Sequence, residues 1–206
     1  MKLYAENGSY RVFLLEPETD GQEGLEFFAR VQNAFYADRC VHPDLDVKDP
    51  AKILKVAQEE GSAYWEDVYC EARFAHFVLF KEDQPIGQAT TAKDSENSAV
   101  EWMMGSYILF DHRGKGLSRH LYEARLLYLA ENPDIERVHL WTRPENRASQ
   151  RAAEHNGFWH CGQHVCNPED GPMELYKRRL DDYRRQLQTI PDVSVNRNSL
   201  DHAALA

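Results

Sequence analysis

The residues whose types and spacing best suit chemistry are Asp111-His112-Arg113-Gly114-Lys115-Gly116-Leu117-Ser118. They sit between an apolar run and a segment of helical periodicity. Backbone N–H groups at a helix start have no intrahelical acceptor and carry partial positive charge, so such a turn can receive a phosphate or pyrophosphate. Gly114 and Gly116 let the backbone curl around an anion without Cβ clashes. Arg113 and Lys115 add charge at the rim. A Walker loop is excluded, because the four-residue spacer and the Gly-Lys-Ser/Thr ending are missing. The G-x-G-x-x-G dinucleotide fingerprint is absent too. The bland alternative is a tight strand-to-helix turn.

Other reactive side chains carry less. His160, Cys161, His164 and Cys166 are the densest set of metal-ligating types. On a regular strand 160, 164 and 166 share one face while 161 points away. Ligands this close on one strand rarely converge on one ion, and no second CxxC-like pair exists, so no metal is expected. Cys161 as an acyl-carrying nucleophile would need an activating base beside it. His139 reads as a satisfied sheet histidine.

The elements that must position the loop follow from periodicity. Tyr10 to Glu16 reads as a strand that begins the fold, and Gly21 to Cys40 as a helix with Leu25, Phe28, Val31 and Phe35 on one face. A second helix starts near Asp49-Pro50, an N-cap followed by proline. Arg73 to Phe80 and Pro85 to Thr91 form a hairpin across Glu82-Asp83-Gln84-Pro85. Ala99 to Phe110 is a long strand in which Gly105 marks a bulge or a close backbone approach. Lys115 to Glu131 is an amphipathic helix with Leu117, Leu121, Ala124 and Tyr128 in register. Arg137 to Thr142 alternates as a strand, and Asn146 to Asn156 is a short helix ended by Gly157. Phe158 to Cys166 and Met173 to Lys177 close the sheet across a turn at 167–171. Beyond Lys177 charged helical pairs such as Asp181 and Arg185 appear, and from Thr189 the chain reads as a loosely held tail. The expected class is a mixed α/β (α+β) sheet with helices on both faces. Residues 1–180 form one domain, and 181–206 a charged helical extension and tail.

Composition narrows the function classes. A chain of 206 residues with net charge −10 is a poor non-specific nucleic-acid binder, since phosphate contacts need clustered Lys and Arg. No apolar run reaches bilayer-spanning length, and the N-terminus lacks the basic-then-apolar order of a secretion signal. Four scattered cysteines make no disulfide framework at this length. A cytoplasmic protein is expected, with no nucleic-acid or membrane partner.

The segment Arg113-Gly114-Lys115-Gly116-Leu117-Ser118 resembles the R/Q-x-x-G-x-G/A loop of the GNAT superfamily of acyl-CoA-dependent N-acetyltransferases. The strand ending Tyr107-Ile108-Leu109-Phe110 before it, and Asn146, Ser149 and Asn156-Gly157-Phe158 after it, fall in register with that family. Pro85-Ile86-Gly87 resembles the family's second hairpin. The likeness covers residues 73 to 165 well and the first 70 only by order of elements.

The resemblance implies a GNAT-type, mostly antiparallel central sheet in which two parallel strands splay apart. The pantetheine arm of acetyl-CoA, the co-substrate, would lie in that gap against the backbone of Tyr107, Ile108 and Leu109. Its pyrophosphate would rest on the loop of Arg113, Gly114, Lys115, Gly116, Leu117 and Ser118, with Asn146 touching the arm or a water. An acetyl group would pass directly to a primary amine, which must first lose a proton. Glu101 stands where the family often places a carboxylate base; its alternative is a strand-edge surface glutamate. Ala153 occupies the position of the family's thiolate-protonating tyrosine, so the proton comes from elsewhere, from solvent, or is not needed; Tyr176, His155 and His160 are the candidate substitutes, with Tyr176 taken as the best. Ser118 replaces a usual Gly or Ala.

Two further expectations concern partners. Asp44 to Glu71 holds eight acids against three lysines, with Tyr64, Trp65 and Tyr69 among them. Over the acceptor entrance this would draw a cationic small-molecule or peptide amine by steering and cation–π contact; otherwise it is a solvated helix face. Association as a homodimer is compatible with the reading. The rival function is a catalytically silent acyl-CoA-binding sensor or partner module of the same fold, which Ala153 favours.

Overall fold

The structure is a computed structural model that describes residues 1–43, 48–165 and 171–189. Its elements are β1 (Lys2–Asn7), β2 (Tyr10–Leu15), α1 (Pro17–Val41), α2 (Pro50–Glu60), α3 (Ala63–Cys70), β3 (Phe74–Lys81), β4 (Gln84–Lys93), β5 (Val100–Ile108), a 3-10 turn at Phe110–His112, α4 (Ser118–Ala130), β6 (Arg137–Thr142), α5 (Arg147–His155), β7 (Trp159–Val165), β8 (Pro172–Arg179) and α6 (Leu180–Thr189). The strands make one eight-stranded sheet in the order β1-β2-β3-β4-β5-β6-β8-β7. All neighbours are antiparallel except β5 and β6. This is the mixed sheet with a single parallel pair that the loop resemblance implies.

Helices cover both faces because their apolar stripes have sheet residues to meet. Phe28, Phe35, Trp65 and Tyr69 from α1 and α3 pack on Val78, Phe80 and Tyr107. On the other face Leu117, Leu121 and Ala124 pack on Val12, Phe77, Ile86 and Ala89. Ala153 of α5 and Leu180 of α6 join α4 over Met103, Val138, Leu140 and Tyr176. Asp49 caps α2 by accepting from the Lys52 amide at 3.1 Å, with Pro50 at the first helical position. Within α1 the backbone breaks at Gly21, whose φ of +55° favours glycine.

Several expectations change. A strand, β1, precedes Tyr10 and pairs with β2 at the sheet edge; only Tyr4 along it is fully buried, so it lacks the apolar alternation that announces a strand. A separate α3 follows α2. Trp65 and Tyr69 are core residues at 5% and 1% exposure, so they line no entrance. In α6 the ion pairs are Asp181–Arg184 and Asp182–Arg185, one residue closer than the expected Asp181–Arg185 spacing. A bulge between His160 and Gln163, at Gly162, inserts one residue into β7. It sends His160 toward Tyr176 and His164 to the opposite face, against Trp141. Cys166, Asp44 and Asp46 lie outside the described residues.

The site is prepared where β5 leaves β6. The two strands pair only through Val100–Arg137, Glu101–Val138 and Trp102–His139. Past those positions β5 continues to Ile108 and β6 to Thr142 with no partner for each other among the described residues. On its other side β5 carries a bulge: Thr90 faces Met104 and Gln88 faces Tyr107, so β5 holds one extra residue at Gly105-Ser106. Gly105 has a φ of +56°, which explains the glycine expected to mark this point.

Candidate active site

The loop at the far end of β5 is built as the sequence suggests. Gly114 and Gly116 have φ of +74° and +70°, and nothing lies within 4 Å of where a Cβ would project from either. The amides of Lys115 to Ser118 take no backbone partner among the described residues; the first such bonds of the helix are Arg119 N–H to Gly116 O at 3.3 Å and His120 N–H to Leu117 O at 3.1 Å. Leu117 is buried and anchors the turn to the sheet. Ser118 opens α4, half-buried. The result is an open, N–H-lined concavity at the start of a 13-residue helix.

The two rim cations point less freely than expected. Lys115 Nζ donates to Asp111 O at 2.8 Å. Arg113 folds back, with Nε donating to Ile108 O at 2.9 Å and its guanidinium 4.8 Å above the Tyr107 ring. Asp38 of α1 holds this corner: it accepts from the Tyr107 hydroxyl at 2.6 Å and the Phe110 amide at 3.2 Å, with Arg113 at 4.0 Å. Burial and the Asp38 hydrogen bond push the Tyr107 hydroxyl well above its ordinary range. Asp38 thus ties the end of β5 to α1 across 69 residues of sequence, a contact that local patterning does not announce. Ile108 packs against the α4 cluster, and Leu109 N–H donates to Ile86 O at 3.0 Å. Asn146 is the N-cap of α5, its carbonyl oxygen accepting from Ser149 N–H at 3.1 Å.

Tyr176 and Ala153 belong to one buried cluster, and the Tyr176 ring lies 5.1 Å from that of His160. Burial first, then the negative charges of Glu154 and Glu174, raise the hydroxyl's pKa. Glu101 is 5% exposed, and burial pushes its carboxyl up to about 7 against the opposing pull of Lys93. It is the second residue of β5, in the stretch that still pairs with β6, and the anion loop leaves the opposite end of the strand, about 20 Å away at the usual rise. A cleft of about 640 Å³ opens beside it, lined by Lys93, Asp94, Ser98 and residues 132–136. The structure therefore brings the loop, Tyr107, Ile108 and Leu109 together, sets Tyr176 one strand beyond β6, and leaves Glu101 apart from them. Trp102 turns to the other face, stacked on Trp141 at 5.1 Å and donating to Asp94 at 2.5 Å.

These residues fit acetyl-CoA. Two strand edges in mid-sheet lack partners among the described residues, and their backbone N–H and C=O groups are open to one; an arm with two amides can pair there, and a pyrophosphate suits the concavity beyond. Tyr176→Phe is expected to lower kcat by about tenfold with KM unchanged if that hydroxyl returns the proton to the leaving sulfur. Equal turnover by the two proteins excludes it.

Known proteins share the family and the fold. The model of an acetyltransferase (GNAT) domain matches residues 17–159. No curated protein sequence matches the chain. Among solved structures, a ribosomal L7/L12 alpha-N-protein acetyltransferase, RimL, in complex with coenzyme A superposes with a TM-score of 0.61 at 16% identity, over 87% of this chain and 99% of that one. A ribosomal-protein-S5-alanine acetyltransferase from Vibrio fischeri gives 0.62 at 14% identity, over 87% and 97%. A spermidine N-acetyltransferase from Vibrio cholerae in complex with CoA and spermine gives 0.57 at 15% identity, over 86% and 99%. At such identities these likenesses speak for the fold. Among the described residues no helix is long and apolar enough to cross a membrane.

Proposed function

The chain belongs to the GNAT acetyltransferase family, whose domain model matches more than half of it, and on that premise we propose that it moves an acetyl group from acetyl-CoA to a primary amine by direct attack on the thioester. As a family member it is an acyl-CoA-dependent N-acetyltransferase. The observation that carries the fuller reading is the gap between β5 and β6 leading to an N–H-lined loop. When bound, acetyl-CoA supplies an acetyl group activated as a thioester. The gap-side backbone of Tyr107 to Leu109 and the amides of Lys115 to Ser118 would hold it, with Arg113 and Asp38 fixing the strand end and Asn146 ordering the start of α5.

The amine nitrogen would bond the acetyl carbon and give up its second proton as the amide forms, while the C–S bond breaks and sulfur leaves as a thiolate that takes up a proton. Before that the ammonium form must lose a proton. Glu101, pushed up to about 7, has the proton affinity for this task near neutral pH, and from the last paired stretch of β5 before the gap it would act directly or through water. Tyr176 is the proposed donor to sulfur. Turnover with any amine, measured as CoA release, removes the silent-module alternative.

The acceptor is proposed to be cationic beyond its reacting amine, as a polyamine or a basic peptide terminus is. Support comes from Glu59, Glu60, Glu66 and Asp67, all exposed on α2 and α3. With Trp65 and Tyr69 buried and Tyr64 half-buried, this attraction is mainly Coulombic. Raising ionic strength from about 0.1 M to about 1 M shrinks the screening length from about 10 Å to about 3 Å. The expected result is a several-fold loss of kcat/KM for a cationic acceptor with kcat level, flattened when the four acids are neutralised together. Equal efficiency with cationic and neutral acceptors, without a salt effect, would leave the acids as a solvated face.

A further inference from the structure

Arg125 of α4 is 1% exposed, heading the largest fully buried side chains of the described residues. It occupies the apolar stripe of an amphipathic helix, four residues after Leu121 and next to Ala124. No carboxylate pairs with it among the described residues. Its partners are carbonyl oxygens: Nε donates to Leu121 O at 3.0 Å, and Nη1 reaches Thr90 O and Met104 O at 3.4 Å each. The guanidinium lies 5.0 Å from the centre of the Tyr122 ring. Burial lowers its pKa only to about 10, and Tyr122 beside it is held neutral by burial, so the guanidinium is charged at neutral pH.

A buried cation without a counter-ion is costly, and an apolar side chain of similar volume would fill this place at lower free energy. What the charge faces gives a reason to keep it. Thr90 and Met104 are register partners across the β4–β5 seam, and Met104 is the last paired residue before the bulge. The peptide that begins with Met104 C=O ends with Gly105 N–H. No peptide in the described chain is cis, and in a trans peptide the C=O and N–H point opposite ways. With Met104 O engaged by Arg125, Gly105 N–H points the opposite way, away from the guanidinium, on a strand whose side away from β4 has no partner at this position among the described residues. A positive charge on the carbonyl end polarises the whole peptide and strengthens its N–H as a donor, more so in a water-poor interior.

We propose that Arg125 is a positioning residue for acetyl transfer: it fixes and polarises the Met104–Gly105 peptide so that Gly105 N–H is a strong, fixed donor to the thioester carbonyl oxygen. This rests on the reading of the gap as the acetyl-CoA site. Negative charge grows on that oxygen as the amine attacks, and a donor already aimed at it acts without reorganisation.

The test compares wild-type protein with Arg125→Met and with Arg125→Gln, which keeps donors for the carbonyls without the charge and guards against a failure of the Met variant to fold. Each is titrated with acetyl-CoA carrying ¹³C at the acetyl carbonyl, and the infrared stretch of the bound carbonyl is read without any amine. Wild type is expected to shift the stretch below its value in water. Both variants should lose about half of that shift or more, with kcat down about tenfold and KM for acetyl-CoA unchanged. A folded variant that binds acetyl-CoA with the wild-type carbonyl shift overturns the role of Arg125. Failure of the wild-type protein to bind acetyl-CoA overturns the site reading, and this proposal with it; that failure shows in the first titration, before any variant is compared.

Discussion

Gly116→Val is expected to weaken acetyl-CoA binding at least about tenfold, or about 1.4 kcal/mol, in a titration calorimeter. Two effects act in the same direction. Gly116 holds a φ of +70°, which a β-branched residue adopts only with strain, so the loop must shift and take the Lys115 to Ser118 amides with it. The new side chain would also project into the open concavity that the anion needs. Strain alone can be controlled for. Gly8, in the turn between β1 and β2, has a φ of +62° and the same open surroundings. Gly8→Val should therefore lower the melting temperature in a comparable way and leave acetyl-CoA affinity untouched. Wild-type affinity in a folded Gly116→Val protein would show that the loop does not hold the pyrophosphate.

That loop was legible because its chemistry is local: two glycines, a helix start and a preceding strand lie within a dozen residues. The strand Arg137–Thr142 and the Asn146-capped helix were legible for the same reason, through alternation and a capping side chain. Contacts that join distant segments were not. Asp38 meets Tyr107 across 69 residues, and nothing in α1's pattern marks that aspartate. Arg125 left a signal, a cation within the stripe of Leu117, Leu121, Ala124 and Tyr128, where periodicity expects a buried apolar residue. The bulge in β7 defeated the alternation assumed for His160 and His164, because one inserted residue reverses every side chain beyond it. Edge strand β1 needs few apolar residues, being paired on one side only, and so gave little pattern to read.

Glu101→Gln is expected to make the protein more stable by about 3 kcal/mol at pH 8 and to change little at pH 4. Burial pushes the native carboxyl up to about 7, while in the unfolded chain it titrates near the ordinary glutamate value of 4.5. Between those values the native state binds a proton that the unfolded state has lost, so stability falls as pH rises through the window and is level outside it. A gap of about 2.5 units corresponds to about 3 kcal/mol, the cost of ionising a buried acid that Lys93 only partly offsets. For a chain of this length that is about 6 to 12 °C in melting temperature. Several histidines also titrate below their usual range through burial, His76, His120 and His139 among them. Their contributions cancel when variant and wild type are compared at each pH. An equal gain at pH 4 and pH 8 would show that the effect is packing and not ionisation. Activity should move the other way. If Glu101 takes the amine's proton, wild-type kcat/KM rises with pH through about 7, and the variant loses that limb while gaining stability. One substitution then separates the two roles, because a carboxyl buried for packing alone would give the gain without the loss.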